Sequence, residues 1–327
     1  HGLSAKNKLK GSEKSELRGF EDFPKKDLLR RLVIPTECGA TKFSEIQWKY
    51  FTELASDPLA VENYTYYSNL NYYAAYFGIG EQYFGAEGEY THLVSRTKRD
   101  LERFWDMPEE ISIRGQHNET LNDRDLLVEI LWYLIADLES KEDLYPIVDE
   151  LLEQNELSPV LPESPFFSSD GLSTFNKLII IGDGLVDMFA ETGVDEEVVW
   201  TAILAHEWSH QIQIDNFFSW YPFGTFETAA EETRHIELEA DFFSAYYLTH
   251  KRGATYNWKK VDEFFELFFQ AGDCSFEFEL HHGTPQQRMK AAQEGYRLAA
   301  SAQKKGHIMS PEEVHEYFIN VALPEII

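Results

Sequence analysis

The chain has 327 residues, 43% of them hydrophobic, enough for a sizeable core in one large domain or two ordinary ones. Its 57 acidic against 29 basic residues give a formal net charge of -28, which repels nucleic-acid phosphates and anionic lipid, so no nucleic-acid partner is expected. With Cys38 and Cys274 as the only cysteines, a disulfide scaffold and a cysteine-rich zinc module are both excluded, and any metal must be held by imidazoles and carboxylates.

Residues 1–20, HGLSAKNKLKGSEKSELRGF, are polar and lack apolar periodicity, which predicts a flexible leader. The opening on His1 rather than Met fits a trimmed chain, and removal of a signal peptide would give a secreted, periplasmic or cell-envelope location. Residues 21–165 form a helical N-terminal region: FSEIQWKYFTEL, AVENYTYYSNLNYYAAYF, HLVSRTKRDLERFW and RDLLVEILWYLIADLES carry apolar residues at three-to-four spacing, and ISIRGQ alternates as a strand would. The cluster Tyr64, Tyr66, Tyr67, Tyr72, Tyr73 and Tyr76 reads as packing between helices, with hydroxyls at the edge. No membrane span is expected, because the best apolar stretch, Leu126 to Ala136, is broken by Glu129 and falls short of the required length of about eighteen residues. The Pro- and Ser-rich run SPVLPESPFFSSDG marks the expected domain boundary, near residue 165. Beyond it KLIIIGDG reads as a buried or edge strand, followed by three helical segments, so the expected class is α+β, predominantly helical, with a catalytic domain over 166–327.

The second of these regions carries chemistry. His206, Glu207 and His210 spell HExxH in a segment that opens with Asp195 as N-cap, has Glu196 and Glu197 in its first turn, and continues with apolar Val199, Ile203 and Leu204. Positions i and i+4 share a helix face, so both imidazoles can reach one ion while Glu207 sits beside them as general base. Zinc needs a third protein ligand and an open fourth position. The HExxHxxGxxH pattern is excluded, since Gln213 and Asn216 stand where it needs Gly and a ligand. On the next helix Glu237 and Asp241 are again i and i+4. Glu237 is the candidate third ligand, and Asp241 the acceptor of a ligand histidine's free N–H. Asp215, Glu239 and His235 are the alternatives for the third position. His117 and His281 read as structural.

HEWSH, then ELEAD on a following helix, then HGTPQQR before another, resembles the neutral zinc metallopeptidases and, more distantly, the CAAX-prenyl-protease-like gluzincins. The resemblance covers roughly the last half of the chain. It implies a zincin-like catalytic domain that cleaves peptide or protein substrates with Zn2+, and it matches His282 and Arg288 to the family's His and the Arg six residues later. Those two would stabilise the oxyanion, or pin the site wall through a bond to a carboxylate. It also implies that STFNKLIIIGDGL is the edge strand that takes an extended substrate, paired along Lys177 to Ile181. The absence of apolar spans removes prenylated-peptide processing from what can be carried over. The aromatic segment from Phe217 to Phe223 either packs the two helices together or lines a subsite. Two other readings compete with a peptidase: a non-catalytic binding protein on the same scaffold, which predicts loss of a ligand or base, and a zinc hydrolase of a non-peptide substrate.

Overall fold

The computed structural model describes residues 40–135, 138–273, 282–302 and 306–327. The expected leader, both cysteines and His281 lie outside these residues.

Local signals set the first helices. Thr41 caps α1 (Lys42–Ser56), its hydroxyl accepting from Ser44 N at 3.1 Å. Asp57 ends α1 and starts α2 (Pro58–Phe77), because its carboxylate accepts from Leu59 N at 2.9 Å while Pro58 cannot continue the preceding hydrogen-bond ladder. Gly78, with φ of 66°, supplies the left-handed stop of α2. Next come α3 (Thr91–Trp105), strand β1 (Ser112–Gln116), α4 (Arg124–Leu134) and α5 (Tyr145–Leu157). Of the tyrosine cluster on α2, Tyr67 is buried, its hydroxyl 2.7 Å from Asn155 Oδ1, and the others are half-buried at the helix edge.

The Pro- and Ser-rich segment read as the domain boundary is itself packed: Leu161, Ser164 and the 3-10 turn Pro165–Ser168 are all buried. It leads into β2 (Gly171–Thr174) and β3 (Leu178–Gly182). The three strands form one sheet in the order β1-β3-β2, with β3 parallel to β1 and antiparallel to β2. The run Leu178–Ile181 is therefore the central strand, a buried strand rather than the edge strand that the family resemblance implied. Its unbroken apolar character reflects neighbours on both sides and burial on both faces. The edge facing the HExxH helix is β2: Ser173 Oγ donates to Glu207 O at 2.6 Å, and Gln211 Nε2 donates to Thr174 O at 3.0 Å.

After β3 the chain is helical: α6 (Asp183–Ala190), α7 (Glu196–Trp220), α8 (Ala229–Thr249), α9 (Trp258–Gln270), α10 (Pro285–Ala302) and α11 (Pro311–Tyr317). Asp195 caps α7 by accepting from Glu197 N at 3.1 Å. Helix α8 stops at Thr249, and from Leu238 onward it is buried all round. The main core joins both halves of the chain, with Phe43, Leu101, Phe104, Trp105 and Ile113 packed together with Trp200, Trp208, Phe243 and Tyr247. A second cluster unites α2, α4, α5 and the turn at Phe166 and Phe167. Among the described residues no helix is long and apolar enough to cross a membrane.

Helices α8 and α10 cross closely at Gly295, where an added Cβ would lie 2.2 Å from Phe242 O and 3.0 Å from Ala245 Cβ. Ala291, Ala292 and Ala299, all buried, keep the same seam thin. Gly295→Ala must therefore force the helices apart, and a loss of about 1–3 kcal/mol in urea-unfolding free energy is expected; an unchanged midpoint would show that the seam yields freely.

Candidate metal centre

Helix α7 is buried over most of its length, and His206 and His210 emerge one turn apart on the face toward α8. Their rings are perpendicular, with the two Nε2 atoms 3.0 Å apart. Glu237 on α8 faces both, Oε2 at 3.3 Å from His206 Nε2 and Oε1 at 3.4 Å from His210 Nε2. These separations are close to the edge of about 3.3 Å in a tetrahedron whose ligands lie about 2.05 Å from a central ion. His206, His210 and Glu237 thus form a group able to hold a metal ion.

The far side of each ring faces a protein oxygen, at ion-pair distance for His206 and in a hydrogen bond for His210. His206 Nδ1 lies 3.0 Å from Asp241 Oδ1, one turn beyond Glu237, and His210 Nδ1 lies 2.8 Å from Gln213 Oε1. The Gln213 amide has one possible orientation, because its Nε2 donates to Ile236 O and to Glu239 Oε2, both at 2.9 Å. Its oxygen must accept, so the proton of His210 sits on Nδ1. Each imidazole then turns its Nε2 lone pair toward the other and toward the Glu237 carboxylate, an arrangement that a cation satisfies.

Arg288, on the first turn of α10, is buried against the same carboxylates. Its Nε and Nη2 grip Asp241 in two parallel bonds, the second at 2.8 Å, and Nη1 reaches Glu237 Oε2 at 3.1 Å. Burial works against its charge, but Asp241 and Glu237 outweigh that and hold the guanidinium more firmly protonated than usual. Glu207 is 6% exposed, and its Oε2 is buried without a hydrogen-bond partner among the described residues. At Gly171 on β2, an added Cβ would come within 3.6 Å of Glu207 Oε1.

Of the expected site residues, the fold brings His206, Glu207, His210, Glu237, Asp241 and Arg288 together. His282 is joined instead to Asp273. Its N and Nδ1 both meet Asp273 Oδ2, at 2.8 and 3.1 Å, its side chain is 44% exposed, and no hydrogen bond or ion pair among the described residues joins it to the triad. The alternative third ligands point elsewhere: Asp215 pairs with Lys177, and the His235 ring packs on Tyr221, Phe226 and Phe318. Glu239 turns away from the triad, where it accepts from Gln213, from Tyr221 OH and from His315 Nδ1, the last at 2.6 Å. In the aromatic segment Trp220 and Tyr221 pack inside, while Phe218 and Phe223 stand exposed. His117 pairs with Asp183 at 2.6 Å and stacks on Tyr83. The cavity it lines, of about 310 Å³, shares no residue with the triad. Compared with models of known protein families, with curated proteins and with solved structures, the chain matches none.

Burial opposes charge on the His206 ring, yet the hydrogen bonds and negative charges of Asp241 and Glu237 prevail and push its pKa up to about 10. His210 is likewise raised: burial is overcome chiefly by Glu237. The Glu237 carboxyl is held well below its usual range, its burial outweighed by bonds from His206 and His210. In metal-free protein the raised His206 contributes stability that is fully present below the ordinary histidine value of 6.5 and is lost as pH rises toward 10, while the lowered Glu237 contributes stability that is lost only in acid. Chelator-treated protein is therefore expected to show a falling urea midpoint between those pH values, and a saturating divalent metal should flatten the fall; a flat profile without metal would contradict this electrostatic account. Arg288→Met leaves two buried carboxylates without their cation, and an unfolding free energy lower by roughly 3–5 kcal/mol is expected.

Proposed function

We propose that this protein is a zinc-dependent peptidase of the gluzincin type, with His206, His210 and Glu237 as metal ligands and Glu207 as general base. The observation that carries the reading is the convergence of two Nε2 atoms and a carboxylate, beside a buried Glu207 oxygen with no hydrogen-bond partner among the described residues. Two imidazoles and a carboxylate, with a fourth position open, suit zinc. Bound there, zinc would lower the pKa of a water toward neutrality and polarise a substrate carbonyl.

The chain's own residues then have separate tasks. Glu207 takes a proton from the attacking water and returns it to the leaving amine. Asp241 and Gln213 keep each imidazole in the tautomer that presents Nε2. Arg288 holds Glu237 and Asp241 in register; its burial and its bonds to both support this task over contact with an oxyanion. An extended substrate adds to the outer edge of β2, the strand next to Glu207, since β3 has no free edge. The order of the HEWSH, ELEAD and HGTPQQR motifs supports the same family reading, as does retention of all three ligands and the base against a non-catalytic scaffold.

Protein purified without metal-affinity resin is expected to carry about one zinc by mass spectrometry, and Glu237→Ala to lose it. Glu207→Gln should keep the metal and cut hydrolysis by about 10²–10⁴-fold. A panel of peptide, ester and simple amide substrates decides the substrate class. Absence of bound metal in the native chain, or unchanged turnover in Glu207→Gln, would overturn the reading.

A further inference from the structure

The Gln213 bond to Glu239 does not end at α8. Glu239 is 0% exposed, and its carboxylate accepts from Gln213 Nε2, Tyr221 OH and His315 Nδ1. His315 belongs to α11, near the C-terminal end of the chain, and its ring lies flat on Trp220 with centroids 4.1 Å apart. A continuous path therefore runs from the candidate ligand His210 through Gln213 and Glu239 to His315 on α11. A buried carboxylate needs all its donors, because each one lost leaves an unpaired charge in a low-dielectric setting. The Gln213 amide cannot satisfy His210 and Glu239 at once unless both stay in place, so ordering either end orders the other.

Resting on the metal-site reading above, we infer that α11 is a working part of the metal centre: Gln213, Glu239 and His315 act as positioning residues that couple docking of the C-terminal helix to metal binding at His210. The coupling is reciprocal, so a docked α11 raises metal affinity and bound metal tightens α11. The helix has other anchors that persist without metal. Trp220 Nε1 donates to Glu312 Oε2 at 2.6 Å, Met309 N donates to Tyr246 OH at 3.0 Å, and Val314 and Phe318 are fully buried. Metal therefore adds protection to a helix already in place.

The test is hydrogen–deuterium exchange of the full chain, with and without one equivalent of zinc, on native protein, Gln213→Ala and His315→Phe, together with zinc affinity by competition with a chromophoric chelator. His315→Phe keeps a ring on Trp220 and removes only the bond to Glu239, whereas Gln213→Ala cuts the path next to the ligand. In native protein zinc should slow exchange over Pro311–Tyr317, in both variants that protection should vanish, and both should bind zinc about 10- to 100-fold more weakly. Zinc that binds natively but leaves α11 unchanged, or protects it equally in both variants, overturns the coupling while leaving the metal site intact. A native chain that binds no zinc removes the metal-site reading, and the coupling with it. If Gln213→Ala fails to fold by circular dichroism, His315→Phe alone decides.

Discussion

Where α7, α8 and α10 meet, the fold buries more negative charge than its own side chains neutralise. The carboxylates of Glu237 and Asp241 share the guanidinium of Arg288, with buried Asp273 acting on it as well and buried Glu207 beside His206, so among the described residues carboxylates outnumber the cation there. In a low-dielectric interior such an excess is costly, and it is relieved by protons on the histidines or by a divalent ion among them. The same carboxylates raise the pKa of His206 and His210, and the spacing of the triad is one that could hold a metal ion. The thin α8–α10 seam follows from the same requirement: Arg288 meets Asp241 because α10 lies close against α8, with Gly295 at their crossing and alanines along the seam.

Much of this centre was legible in the sequence because its spacing is local. His206 and His210 share a helix face by periodicity, Asp195 and the acidic first turn announce the helix, and Glu237 with Asp241 repeats the i, i+4 spacing one helix later. Arg288 was locatable by motif order, but the choice between its two roles needed three dimensions, since only packing reveals that both carboxylates lie within its reach. Gln213 was noted in the sequence only as the residue that breaks an extended zinc motif. Its bond to His210 depends on Glu239 and Ile236 from another helix fixing its amide, and neither is visible along the chain. His315, 76 residues from Glu239, carries no sequence signal at all.

The sheet shows the complementary limit. Strand propensity placed ISIRGQ and KLIIIGDG correctly as strands, because alternation and a β-branched run are properties of single segments. Strand order is a property of pairs. Residues 171–174 are too short and polar to stand out, yet they form the edge beside Glu207 and make β3 central. The Pro-rich turn is a further case: prolines and serines mark a chain reversal, and Phe166 and Phe167 within it pack the reversal into the core, with Phe167 against Tyr64 and Tyr67 of α2.

The outer edge of β2 has a consequence for the protein's behaviour in concentrated solution. An unpaired strand edge is a template for any extended chain, including another copy of the same molecule. Here the edge is four residues long, it begins at a glycine that weakens strand character, and it gives way to a turn in which Lys177 holds φ of 62° and is tethered to Asp215. Those features leave room for a few residues of a bound chain but no straight ladder along which copies could stack, and the charge of -28 keeps them apart. A receptive edge can thus be kept open at the site without committing the protein to self-association.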